Sequence, residues 1–113
     1  PALVQLCMGI PWGAPDGLGT LIAMVNNVPS DWVFSAFSLG RNAMAYPAAS
    51  VLAGGNVRVG LEDNLYLSRG VFATNAQLVE KAVNVVENMG ANVIGPDAVR
   101  ERLKLTKRAP VAR

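Results

Sequence analysis

The 113-residue sequence contains no histidine. That absence excludes histidine acid–base catalysis, a Ser-His-Asp triad and a complete histidine-rich metal site within these residues. A single cysteine, Cys7, rules out an internal disulfide. It sits among apolar neighbours and reads as a buried, inert thiol. No apolar run approaches the roughly 18 residues that cross a bilayer, and no signal peptide precedes the first strand, so the sequence reads as soluble. Aromatic residues are few, at 6%, and none interleaves with the basic C-terminal end. That end, residues 100–113, has a local balance of +5, whereas residues 1–99 sum to −3. Without aromatic partners it reads as a solvated, disordered tail over 106–113, and a nucleic-acid partner is not expected.

What is present is apolar and regularly patterned. Hydrophobic residues make up 51% of the sequence, heavy loading for one small domain. Short chains bury a smaller share of their surface, so such faces ask for cover from outside these residues. Three strand-then-helix units follow one another. Ala2–Met8 reads as an apolar strand, and a turn-rich run leads to Asp16, which is placed to cap the next helix. In that helix Leu18, Leu21, Ile22 and Val25 share one stripe. Asp31–Leu39 is a second strand, apolar on both faces, as in helix-covered parallel sheets. An Ala-rich helix spans about Asn42–Leu52; Pro47 must lie in its first turn or kink it, and Gly54-Gly55 ends it. Asn56–Asp63 is the third strand, and residues 64–73 form a loop. Thr74-x-x-Gln77 is a capping box opening the best helix, with Leu78, Val79, Ala82, Val83, Val86 and Met89 on its apolar face. Pro96-Asp97 starts a last helix through about Leu105.

Alternation of this kind argues for a parallel sheet with right-handed crossovers. Periodicity leaves two architectures open, a small doubly wound sheet and part of a (β/α)8 barrel. The third strand favours the barrel. Its alternation sends Val57, Val59 and Leu61 to one face and Arg58, Gly60 and Glu62 to the other. An unpaired buried charge costs several kcal/mol, so this second face must find partners. In a barrel it would look into the lumen, with Glu62 and Asp63 at the mouth where functional groups collect. Arg58 would approach them only by extending its side chain along the strand. Read as residues alone, Glu62 and Asp63 are better taken as solvated strand-end carboxylates. Trp12 and Trp32 read as core or rim packing.

At these residues the sequence resembles the β-keto acid cleavage enzymes. The run GGNVRVGLEDNLYLSRG, Gly54–Gly70, is similar to that family's signature near its C-terminus. FSLGR at Phe37–Arg41 and ATNAQLVEKAV at Ala73–Val83 are similar in the same order. The resemblance covers nearly the whole chain but only the last third or so of a family member. It implies a (β/α)8 TIM barrel to which residues 1–105 contribute strands six to eight, with a missing N-terminal portion supplying the rest. It implies a divalent metal, usually zinc, held by Glu62 and by two histidines outside this chain. It also implies a catalytic pair, with Asp63 moving the substrate proton and Arg58 orienting it. The reaction implied condenses a β-keto acid with acetyl-CoA and cleaves the product, in a retro-Claisen step, to acetoacetate and a new acyl-CoA. Cytoplasmic location and homo-oligomerisation are expected with it. The chain alone, lacking the histidines, is expected to be inactive. The competing reading is a small non-catalytic α/β module that associates through its strand edges.

Overall fold

A computed structural model describes residues 2–111. In chain order the elements are β1 (Leu3–Met8), α1 (Leu18–Val25), β2 (Val33–Ser38), a 3-10 turn (Gly40–Asn42), α2 (Tyr46–Leu52) and β3 (Asn56–Val57). Then follow β4 (Tyr66–Ser68), β5 (Val71–Phe72), α3 (Asn75–Asn88) and α4 (Pro96–Arg102). β1, β2 and β3 form one parallel sheet in sequential order. The register pairs Leu3 with Val33 and runs to Met8 with Ser38, while Ser35 pairs with Asn56.

One face of this sheet is apolar and carries both crossover helices. Met8, Phe34 and Ala36 pack there with Leu21 of α1 and Tyr46 of α2, joined by Val4, Leu6, Met24, Val25, Val28, Ala49 and Ala53. A doubly wound sheet places helices on both faces; here both crossovers cover the same one, an arrangement consistent with part of a barrel. Alternation leaves Gln5, Cys7, Phe37 and Arg58 for the opposite face. Gly55 sits where Phe34 enters the core, and a Cβ on it would run into that ring. Among the described residues no helix is long and apolar enough to cross a membrane.

Several elements differ from the sequence reading. The stripe of α1 is rotated: Leu21 is buried and Met24 and Val25 pack on the core, while Leu18 and Ile22 are exposed. Leu18-Ile22 and Met24-Val28 offer overlapping apolar stripes in a helix with few polar residues, and the sheet selects the second. Asp16 does not cap α1; Gly17 holds the N-cap position and no side chain caps it. The Ala-rich helix splits, with a 3-10 turn first and α2 beginning at Tyr46, so Pro47 falls in the first turn as required.

The third strand is much shorter than expected. Its ladder ends at Val57, and the chain then closes a turn in which the Gly60 carbonyl accepts from the N–H groups of Asp63 (3.1 Å) and Asn64 (3.2 Å). Glu62-Asp63-Asn64 is poor in strand formers and rich in turn formers, and that local preference prevails over alternation. Residues 64–73 are not a plain loop. They hold the β4–β5 antiparallel hairpin, in which Tyr66 and Phe72 stack with centroids 5.1 Å apart. Gly70, at φ +77°, makes its turn possible.

The capping box forms as read: Thr74 Oγ1 accepts from Gln77 N, and Gln77 Oε1 accepts from Thr74 N. Leu78, Ala82 and Val86 of α3 are buried, whereas Val79 and Met89, at the margins of the expected face, are exposed. Trp12 is not packed at all, at 89% exposure, and Trp32 is partly exposed. α4 ends at Arg102, short of Leu105, and buries no side chain. Residues 106–111 are exposed and carry no helix or strand. The last two residues of the basic tail, like Pro1, lie outside the described residues.

Candidate functional site

The C-terminal ends of the parallel strands are tied together by polar contacts. Leu39 N donates to Met8 O, and Gly40 N donates to Asp63 O at 2.8 Å. This second bond, made possible by a left-handed Gly40 (φ +65°), fastens the turn after β3 to the end of β2. On its other side Leu61 N donates to Asn75 Oδ1 at 2.9 Å, anchoring the turn to the start of α3. The turn carrying Glu62 and Asp63 is therefore held at both flanks.

Within it Arg58 is the hub. Its Nε donates to Asp63 Oδ2 at 2.9 Å and its Nη2 to Asp63 Oδ1 at 3.0 Å, a two-pronged pair. Nη2 also donates to Glu62 Oε2 at 2.8 Å. Nη1 donates to Gln5 Oε1 on β1 at 3.0 Å, and the guanidinium lies over the Phe37 ring with Cζ 4.1 Å from its centroid. The structure thus brings Arg58, Glu62 and Asp63 together. It does so by folding the turn back toward Arg58, rather than by the arginine reaching along an extended strand.

The two carboxylates differ in setting. The Asp63 side chain is 5% exposed and depends on Arg58, while that of Glu62 is 84% exposed. A buried ion pair survives only with good geometry, which the parallel N–H···O bonds supply. The bonds to Asp63 raise Arg58 further above its already high value, so the guanidinium stays cationic.

Cys7 is the next β1 residue on the same face after Gln5. It is only half-buried, not sealed among apolar residues as its neighbours suggested. Burial, and then the Asp63 charge, push its thiol up, so it remains protonated at neutral pH and is a poor nucleophile.

A second polar cluster braces the loop after β1. Asp16 Oδ2 accepts from Asn42 Nδ2 at 2.7 Å and from Ser38 Oγ at 2.9 Å, and the Asp16 carbonyl accepts from Tyr46 Oη at 2.8 Å. The bond from Asn42, and then that from Ser38, hold the Asp16 carboxyl below the usual carboxylate range. A depressed carboxyl stabilises the fold above its unfolded-state value, near pH 4, and that contribution is lost as pH falls through the folded value. Asp16→Asn is therefore expected to flatten the decline of the melting temperature below pH 4. An unchanged acid profile would contradict this.

Among the described residues no group of three or more His, Cys, Asp or Glu is placed to hold a metal ion. The donor chemistry fits a shared site: Glu62 is a hard oxygen donor, exposed, and tied to Arg58 through Oε2. A divalent cation here would take one ligand from this chain.

The sequence does not mark Gln5 or Asn75 as site residues, and it offers Asp16 only as a helix cap and Phe37 only as a strand residue within FSLGR. Gln5 was legible as the one polar side chain in an otherwise apolar strand, but its partner was not.

A family model described as beta-keto acid cleavage enzyme matches residues 1–105. The 3-dehydrocarnitine:acetyl-CoA trimethylamine transferase of Rhizobium meliloti (strain 1021) is 79% identical over 108 residues, covering 96% of this chain and 36% of that protein. The 3-keto-5-aminohexanoate cleavage enzyme of Acetoanaerobium sticklandii is 35% identical over 95% of this chain and 40% of its own length. The 3,5-dioxohexanoate:acetyl-CoA acetone transferase of Paraburkholderia graminis is 37% identical over 93% of this chain and 36% of its own length. The chain thus spans between 36% and 40% of these relatives. A family match over all but the last eight residues leads to one assignment: the chain belongs to the beta-keto acid cleavage enzyme family.

Proposed function

We propose that this chain is the strand-six-to-eight part of a (β/α)8 barrel that transfers an acyl group between a β-keto acid and acetyl-CoA. One observation carries the reading. Arg58 grips both oxygens of a nearly buried Asp63 at the C-terminal end of a parallel sheet, with Glu62 on the same guanidinium. An oriented carboxylate at that end of a barrel is placed for proton transfer.

In this reading Asp63 accepts a carbon-bound proton from the keto acid. The carbon so activated attacks the acetyl-CoA carbonyl, and the released CoA thiolate cleaves the resulting diketone to a new acyl-CoA and the carbanion of acetoacetate, which takes the proton back from Asp63. Arg58 keeps Asp63 ionised and aimed, since a close cation favours the carboxylate. Glu62 would hold a divalent metal, zinc by resemblance, which when bound polarises the keto oxygen. The remaining ligands and the keto acid pocket would come from the rest of the barrel. The reading places the whole protein in the cytoplasm as a homo-oligomer.

The relative at 79% identity makes 3-dehydrocarnitine the first keto acid to test. The full-length protein, given 3-dehydrocarnitine, acetyl-CoA and zinc, is expected to yield acetoacetate and a trimethylammonio-acyl-CoA by mass spectrometry. Failure with this and with 3-keto-5-aminohexanoate and 3,5-dioxohexanoate would sink the reading. Glu62→Gln is expected to abolish metal retention and, with both proteins metal-free, to leave stability within about 0.5 kcal/mol, because exposed ion pairs contribute little. Full zinc occupancy in that variant would remove Glu62 from the site. The 113 residues alone should show no turnover. A monomeric, cooperatively folding and zinc-free product of that size would instead favour the non-catalytic module.

A further inference from the structure

Three strands converge on one guanidinium. The turn after β3 supplies Asp63 and Glu62, β1 supplies the Gln5 side-chain amide oxygen, and β2 supplies the Phe37 ring. Register explains the meeting. β1 and β2 pair Gln5 with Ser35 and Cys7 with Phe37, so Gln5 and Phe37 share the face on which Arg58 lies. Phe37 is only 5% exposed, so the surface beneath Arg58 is firm.

A two-pronged arginine–carboxylate pair needs the guanidinium coplanar with the carboxylate and rotated so that the correct edge faces it. The arginine stem is long and supplies neither constraint by itself. An aromatic ring under the guanidinium fixes its plane. An acceptor on Nη1 fixes its rotation within that plane, leaving the Nε–Nη2 edge for Asp63. We propose that Gln5 and Phe37 are positioning residues, which set the plane and rotation of Arg58 and through it the aim of Asp63. This rests on the reading of Asp63 as the proton-transfer group.

The test uses the full-length protein with 3-dehydrocarnitine and acetyl-CoA. Gln5→Met removes the acceptor at nearly constant length, and Phe37→Leu removes the ring. Each is expected to lower kcat about ten- to hundredfold, the effect of a misaimed catalytic group, with KM for both substrates within about threefold. Gln5→Glu keeps an acceptor and is expected to recover most of the lost kcat. In an Arg58→Lys background Gln5→Met should have no further effect, because lysine offers no fork to orient. The Arg58 Nε–H resonance should shift in Gln5→Met, a readout independent of turnover.

Wild-type kcat in Gln5→Met, equal losses in Gln5→Met and Gln5→Glu, or an unmoved Arg58 resonance would each overturn the proposal. If Gln5→Met fails to fold, Phe37→Leu is judged by the same kinetic and resonance criteria. Full activity in Asp63→Asn would overturn the underlying reading instead, whatever the Gln5 variants do.

Discussion

Asp63→Asn is expected to lower kcat by about 10²- to 10⁴-fold, the range associated with losing a positioned general base. Asparagine matches aspartate in shape, so the turn after β3 should survive. Its backbone anchors, Gly40 N to Asp63 O and Asp63 N to Gly60 O, do not involve the side chain. The amide group cannot accept a carbon-bound proton at neutral pH. It also presents an NH2 toward one of the two Arg58 donors, turning one prong of the pair into a donor–donor clash. A modest stability loss of about 1–3 kcal/mol is expected from that clash, too small to unfold the protein. Steady-state kinetics beside a circular dichroism spectrum separate the two effects. A folded Asp63→Asn protein with wild-type kcat would mean that the proton moves through another group.

The second large effect concerns the scaffold. Leu21→Ala is expected to destabilise the protein by about 2–5 kcal/mol, as for other buried leucines. Leu21 is 1% exposed and lies in the cluster of Met8, Phe34, Ala36 and Tyr46, which joins α1 to β1, β2 and α2. The hole left would be bordered by β1 and β2, whose backbones are locked in a six-residue parallel ladder and cannot easily close on it. A lowered urea midpoint for the full-length protein, with an unchanged slope, is the expected result. A midpoint equal to wild type would place Leu21 outside the core, against the face of α1 described above.

Local chemistry accounts for what was legible in the sequence. Strand–helix alternation, the Thr74–Gln77 capping box, Pro47 in a first turn and the helix stop at Gly54 depend on a few neighbouring residues. The expected length of the third strand was misled by a true feature, the period-two pattern from Val57 to Glu62. That pattern assumed continued pairing, while Glu62-Asp63-Asn64 favours a turn. The hairpin at Tyr66–Phe72 left a weaker trace: two short apolar pieces around Arg69-Gly70.

By itself the sequence determined a run of β/α units, a charged segment that must find partners, and a family. These are properties of composition, short-range spacing and a contiguous motif. Only the tertiary structure decided which groups meet. Gln5 and Arg58 are 53 residues apart, and their contact follows from the β1–β2–β3 order and register. Asp16 turned from a helix cap into a brace because Ser38 and Asn42 arrive beside it from β2 and the turn after it. Asp63 reaches Arg58 because a turn replaces the end of a strand. Each of these contacts depends on strand pairing and on where a ladder stops, and no local pattern carries that information.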